Sequence, residues 1–271
     1  MSGVLEILFN TLMFNMLKRR RRDKLRRQPF PEPWTQVLER NVTYYRRLPR
    51  EDREELHRHT HILLAEKNFE GCGGLGMTDE IRITVAAQAA VLLLHRETEY
   101  YPILYSVLVY PSSFWGRDAA PVSHDLAIEG EELRLGESWD QGAVVLAWDE
   151  IRNGAPRFRD GYNVVYHEFA HQLDQENADA DGFPIIDDRA LRGTWSQVLH
   201  REFTRLEEDI ELNRRTVIDD YGAEHPAEFF AVVTECFFER PVLLKRERPE
   251  LYEQFRLYYR QDPASLTGLQ T

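Results

Sequence analysis

His167, Glu168 and His171 form an H-E-x-x-H pattern inside the stretch Tyr162–Pro184, and that pattern can carry hydrolytic chemistry. On an α-helix four residues turn the chain by about 400°, so the two imidazoles project from one face, a turn apart, and can chelate one Zn²⁺ ion. Glu168 points about 100° away around the axis. That makes it a poor third ligand but places it to take a proton from metal-activated water. The apolar flanks Val164, Val165, Phe169, Ala170 and Leu173 predict a buried helix. Asp160 or Asn163 can cap its start, and Asp181-Gly182-Phe183-Pro184 stops it. The competing reading is a buried helix whose histidines and glutamate are only hydrogen-bonded.

A catalytic zinc site needs a third protein ligand. The extension H-E-x-x-H-x-x-G-x-x-H is absent, because position 174 is Asp and position 177 is Asn. The ligand is therefore expected from a later helix, as a glutamate. Residues 225–239 read H-P-A-E-F-F-A-V-V-T-E-C-F-F-E, with Pro226 suited to the first helical position and Phe229, Val232, Val233, Cys236 and Phe237 forming an apolar stripe. Glu228 and Glu235 lie seven residues apart on one side, bordering that stripe. A carboxylate beside a buried face is costly unless a metal or hydrogen bonds compensate it. Glu228, in the first turn, is the expected ligand; Glu235 is expected to accept a hydrogen bond that orients a histidine, or to be solvated.

The elements that must position these residues can be outlined from the rest of the chain. Its 271 residues, 42% hydrophobic, suffice for one large domain or two small ones. Helical patterns cover Trp34–Arg47, Glu51–Asn68, Asp79–His95 (capped by Thr78), Gly193–Asn213, Pro226–Glu239 and Pro249–Arg260. Strand-like runs at Leu104–Tyr110, near Leu126–Ile128 and at Ala143–Trp148 predict a small, mainly antiparallel or mixed sheet. The fold class expected is α+β, mostly helical. His57, His59 and His61 are spaced by two, so they do not share a helix face and read as hydrogen-bonded or solvated histidines. Gly71-Cys72-Gly73-Gly74-Leu75-Gly76 reads as a flexible loop; it lacks a G-K-[ST] ending and no strand is expected to feed it, which excludes a phosphate-binding loop.

The N-terminus differs from everything after it. Val4–Leu17 is largely apolar but too short to span a bilayer as a helix, and its positive charges follow the apolar run rather than precede it, unlike a secretory signal. Residues 18–27 carry +7 in a chain of net charge −12, so the remainder sums to −19. An acidic body of that kind is a poor nucleic-acid binder, and no direct nucleic-acid partner is expected. Residues 4–27 could instead lie on an anionic membrane surface, or extend freely, or pack on another protein. Pro29, Pro31 and Pro33 read as a linker. The domain division expected is a hydrophobic and polybasic extension over 1–30 and a single domain over 31–271, with a sheet-bearing N-terminal lobe (31–150) and a helical lobe holding the metal site (151–271). Cys72 and Cys236 form no disulfide framework, which suits a reducing, cytoplasmic setting.

Two blocks, His167-Glu168-Phe169-Ala170-His171-Gln172-Leu173-Asp174 and Tyr221-Gly222-Ala223-Glu224-His225-Pro226-Ala227-Glu228-Phe229-Phe230-Ala231, resemble the Mlc titration factor A family of zinc peptidases. They are also similar to the protease domain of anthrax lethal factor. The resemblance extends over roughly residues 34–263 and takes in Val107–Pro111 and Gly136–Gly142. It implies a gluzincin-like fold, with His167, His171 and Glu228 as zinc ligands, Glu168 as catalytic base and Tyr221 as hydroxyl donor to the oxyanion. It further associates His124 with the metal; Asp174, like Glu235, is expected to support the ligands. Residues 1–27 have no counterpart in the resemblance, and His225 stands before Pro226 where a small hydroxyl residue is usual; His225 is a competing ligand. Relatives of this kind are associated with a transcriptional repressor.

The activity expected is zinc-dependent hydrolysis of a peptide or protein substrate, as an aminopeptidase or an endopeptidase. The rival expectation is a non-catalytic protein that sequesters a partner on a peptidase scaffold.

Overall fold

The computed structural model describes residues 2–112, 142–154, 161–177 and 179–267. His124, Asp160, the expected strand at Leu126–Ile128 and the Gly136–Gln141 segment lie outside the described residues.

The helices in chain order are α1 (Ser2–Arg26), α2 (Glu32–Asn41), α3 (Thr43–Arg47), α4 (Arg50–Glu66) and α5 (Asp79–Val91). They continue as α6 (Trp148–Gly154), α7 (Val164–Asp174), α8 (Arg189–Glu211), α9 (Pro226–Glu239), α10 (Pro241–Glu247), α11 (Pro249–Tyr259) and α12 (Pro263–Leu266). The expected helix Trp34–Arg47 is broken at Val42, whose φ of −115° and ψ of 90° are extended. Just before the break, the Asn41 side-chain amide bonds to Glu80 and Thr84 on α5. α5 is capped by Thr78 and buried on nearly every side, from Ile81 to Val91. An apolar helix of that kind must sit at the centre of the layers.

Among the described residues three strands, β1 (Asn68–Gly71), β2 (Ser106–Tyr110) and β3 (Ala143–Ala147), form one sheet in the order β1-β2-β3. All pairs are parallel, with Phe69 opposite Val107 and Val107 opposite Val144. Among the described residues the pairing is parallel where an antiparallel or mixed arrangement was expected; the expected strand at Leu126–Ile128 lies outside them. Antiparallel neighbours can be joined by tight hairpins, whereas here the β1–β2 connection carries α5 and the β2–β3 connection is also long, as parallel crossovers require. β1 itself went unanticipated, because Asn68-Phe69-Glu70-Gly71 has too few residues to show alternation; a strand does therefore feed the glycine loop. On β2, Val107 and Val109 are buried while their alternating neighbours are partly exposed, so one face of the sheet joins the core.

The three closely spaced histidines are each occupied structurally. His57 stacks on Phe30 with centroids 3.9 Å apart and hydrogen-bonds the Tyr45 hydroxyl at 3.0 Å. His59 bonds the Tyr100 hydroxyl at 2.9 Å, and His61 packs on Phe30 and Trp34. Phe30 is thereby held against α4, so the proline segment is docked rather than a loose linker.

The basic stretch is docked too, contrary to the expectation that the proline segment separates it from the core. Arg22 is 5% exposed and forms two bonds to Glu66, at 2.8 and 2.9 Å, plus one to Glu99 at 2.9 Å. Its guanidinium also lies over the Tyr100 ring, 4.6 Å from the centroid. Arg26 reaches the Tyr100 hydroxyl and Leu25 packs on the core. A formal charge run conceals this, because charge counting does not reveal which arginine finds a buried carboxylate. Arg22→Gln leaves the partly buried Glu66 without its partner and is expected to cost about 2–4 kcal/mol, near the lower range for breaking a buried pair because Glu66 is not fully buried and Glu99 is exposed. A thermal melt lowered by several degrees checks this; an unchanged melt would show that α1 contributes nothing to the body's stability.

Candidate metal centre

The site is made where α7 packs on α9. Asn163 caps α7, its Oδ1 accepting from the backbone N–H groups of Val165 and Tyr166, both at 3.1 Å. The same side chain donates to Glu239 on α9 at 2.8 Å, so the cap also ties the two helices together. Tyr166 on α7 packs on Phe238 of α9 at 5.3 Å between centroids, and Phe169 packs on Tyr101 at 4.9 Å. These contacts orient α7 so that His167 and His171 face the first turn of α9.

There, three electron-donating atoms converge. The Nε2 atoms of His167 and His171 are 3.2 Å apart, and Glu228 Oε2 lies 3.1 Å from the first and 3.4 Å from the second. Ligands held at about 2.0–2.2 Å around a tetrahedral ion stand roughly 3.3–3.6 Å from one another, so the triangle, at 3.1–3.4 Å, is close to the size that such an ion requires. Glu228 Oε2 is buried and makes no hydrogen bond among the described residues, although it faces both rings. Without a cation, a proton must sit among these atoms to offset their mutual repulsion. Against the opposing effect of burial, the Glu228 and Glu235 carboxylates raise the pKa of His167, while burial foremost lowers that of His171. A divalent ion would replace that proton and satisfy all three atoms at once.

Glu235 stands on the other side of His167. Its Oε1 is 2.8 Å from His167 Nδ1, and its Oε2 accepts from the backbone N–H of Asn163. A carboxylate at Nδ1 fixes the N–H there and leaves the Nε2 lone pair facing His171 and Glu228. The seven-residue spacing of Glu228 and Glu235 thus brackets one imidazole between two carboxylates.

Glu168 is partly exposed on the adjoining face of α7. Burial foremost, with Glu228 and Glu235 adding to it, raises its carboxyl to about 7. Tyr221 sits in the 3-10 turn Asp220–Ala223, capped by Asp219, and its ring centroid is 6.0 Å from that of His167. His225 caps α9, its Nδ1 accepting from the Ala227 N–H at 3.2 Å, so in this arrangement it serves the helix start.

Asp174 is fully buried but touches neither histidine's ring in any hydrogen bond; its Oδ2 accepts from the Gly182 N–H at 2.8 Å. Gly182 has φ of +79°, and a Cβ there would lie 2.5 Å from the Pro226 carbonyl oxygen. Its own carbonyl accepts from the Trp195 indole at 3.3 Å. Asp174 and Gly182 therefore hold the end of α7, the start of α9 and α8 in register. Sequence spacing offered no signal for this link, which runs through an irregular loop, nor for the Asn163–Glu239 tie, whose partners are far apart in the chain.

Two histidines a turn apart on a buried helix, a glutamate from a second helix and a partly exposed carboxylate beside them define a metallopeptidase-type site. A family model described as "Glucose-regulated metallo-peptidase M90" matches residues 16–260, and the chain belongs to that family. It is 38% identical over 244 residues to "Uncharacterized protein slr2042" of Synechocystis, covering 90% of this chain and 89% of that one. It is 33% identical over 212 residues to the Mlc titration factor A of Serratia proteamaculans, covering 77% of this chain and 80% of the relative. The Klebsiella pneumoniae protein of the same name is 33% identical over 234 residues, with 85% and 86% covered.

Glu235→Gln keeps the side-chain shape but cannot accept from both Asn163 and His167. Metal affinity is expected to fall about 10–100-fold, the range for loss of a ligand's supporting partner. Glu228→Gln is expected to weaken it further. Competition titration against a chelator measures both, and equal or greater loss in Glu235→Gln would reverse the two assignments.

Proposed function

We propose that the protein is a zinc-dependent peptidase that hydrolyses peptide bonds in a peptide or protein substrate. The observation that carries this reading is the convergence of His167 Nε2, His171 Nε2 and Glu228 Oε2 within 3.1–3.4 Å of each other, with Glu168 one residue from the first of them. Two imidazoles and one carboxylate in a small buried triangle suit Zn²⁺ better than the oxygen-seeking Ca²⁺ or Mg²⁺. Bound Zn²⁺ supplies Lewis-acid polarisation of a carbonyl and lowers the pKa of water towards about 7.

The chain's own residues would do the rest. His167, His171 and Glu228 hold the ion, and Glu235 holds His167 in the tautomer that binds. Glu168 takes the proton of the attacking water and returns it to the departing amine. Tyr221, beside His167, donates its hydroxyl hydrogen bond to the oxyanion. β3 is an edge of the described sheet and packs beside α7, so an extended substrate can align along it by strand addition. His124 is carried as a further metal-associated residue only by the family resemblance. The reading places the chain in the gluzincin-like fold group and in the cytoplasm; among the described residues no helix is long and apolar enough to cross a membrane.

A second reading is supported by the names of the relatives: as a titration factor, the chain would sequester a transcriptional repressor through its surface. Nothing in that role needs Glu168. Glu168→Gln separates the two, because the amide is nearly isosteric and cannot act as a base. Zinc content and folding should persist while turnover of a peptide library falls by a factor on the order of 10² or more. Undiminished turnover in a zinc-loaded variant would sink the peptidase mechanism. Zinc-loaded parent protein inert on every peptide would favour the sequestering reading.

The same residue sets a pH limit. Burial and the neighbouring carboxylates place the Glu168 carboxyl at about 7, and a cation beside it lowers that value. Hydrolysis should therefore decline as pH falls, with its acid inflection below about 7. A rate that rises continuously into acid would exclude Glu168 as the base.

A further inference from the structure

The docked half of α1 fixes which side of the helix faces outward. Counted at about 100° per residue, Lys18, Arg21, Arg22 and Leu25 share one side. That side is against the body: Lys18 and Arg22 pair with Glu99, Arg21 donates to the Ala65 carbonyl at 3.0 Å, and Leu25 joins the core. The opposite side carries Arg20, Lys24 and Arg27, with Arg19 at its flank. All four are exposed, and none forms an ion pair among the described residues.

The outward side continues back through Leu17, Met16 and Met13, and ahead of these the sequence carries Leu5, Leu8, Phe9 and Leu12 at helical spacing. Met13, Met16 and Leu17 are 43%, 48% and 54% exposed. α1 therefore presents one outward side with exposed apolar residues at Met13, Met16 and Leu17, followed by a predominantly basic stretch in which Asp23 is the one acid and is paired with Arg26. Large apolar side chains in a row on a solvent-exposed helix mark an interaction surface.

From this geometry we infer that α1 is a membrane-surface helix that seats the body on an anionic bilayer. Charge complementarity selects this occupant. The apolar segment reaches below the headgroups while the four unpaired cations meet lipid phosphates, and an apolar segment plus a basic patch is the two-signal combination that holds a peripheral protein. A second copy of this face would set like charges against each other. The remainder of the chain, at −19 outside residues 18–27, is repelled by the same surface, so the body is held with α1 towards the lipid. The buried Arg22–Glu66 pair makes this a fixed mount rather than a flexible tether.

The test is co-sedimentation of the full chain with vesicles of phosphatidylcholine alone or with about 30% phosphatidylglycerol, at low and high salt. Binding should require the anionic lipid and weaken at least tenfold as salt rises from about 50 to 500 mM. The quadruple variant Arg19→Gln, Arg20→Gln, Lys24→Gln, Arg27→Gln should lose binding by about a hundredfold, on the scale expected when several surface-facing cations are removed. Met13→Glu with Met16→Glu should abolish it, and both variants should keep the parent's thermal melt because the altered side chains are exposed. Binding that ignores lipid charge and salt would overturn the inference. So would a chain that ignores vesicles altogether, or one that dimerises without lipid and becomes monomeric on Met13→Glu, which would assign the face to a second copy.

Discussion

The structure around the candidate metal centre depends on one electrostatic constraint. Three electron-donating atoms, from His167, His171 and Glu228, are held within 3.4 Å of each other in a buried pocket. Such a cluster is unfavourable unless positive charge sits among them, because desolvation removes the screening that water would provide. The packing of α7 on α9 keeps them together regardless. Asn163, Glu235 and Glu239 form a polar tie at one end of that interface, while Asp174 and Gly182 bind the other end to α8. The apolar contacts between these ties, Tyr166 with Phe238 among them, leave the helices little freedom to separate.

Within this frame the two glutamates of α9 have different work although their side chains are alike. Glu228 lies in the first turn, where the helix's free N–H groups favour negative charge, and it faces both imidazoles. Glu235 lies two turns on, almost fully buried, and contacts His167 from the opposite nitrogen. One helix therefore meets both nitrogens of His167. The cost of burying Glu235 is offset by two hydrogen bonds, from an imidazole and from the backbone N–H of Asn163, the cap of α7. That arrangement links metal affinity to the start of the helix that carries the histidines.

The N-terminal helix follows the same principle at lower density. Of eight basic residues in 18–27, Arg22 is buried against two carboxylates and an aromatic ring, and others reach surface partners. The remainder point away from an acidic body. The distribution divides one charge run into a structural half and an outward half, and the outward half is what a surface of opposite charge would meet.

Much of this was legible in the residues alone. The helix over Pro226–Glu239 follows from Pro226 and its apolar stripe, and the helix around H-E-x-x-H from its flanks, since local periodicity and capping are written within a few residues of each element. The mostly helical α+β character was legible for the same reason. Tertiary structure alone decided the parallel sheet, because pairing direction depends on how long connections cross over, and β1 is too short to show a pattern. It alone decided that Glu235 approaches His167 from Nδ1, that Asp174 serves Gly182 rather than a histidine, and that Arg22 is buried. Each of these depends on contacts that reach beyond a single element, and periodicity within an element carries no information about what lies across the interface.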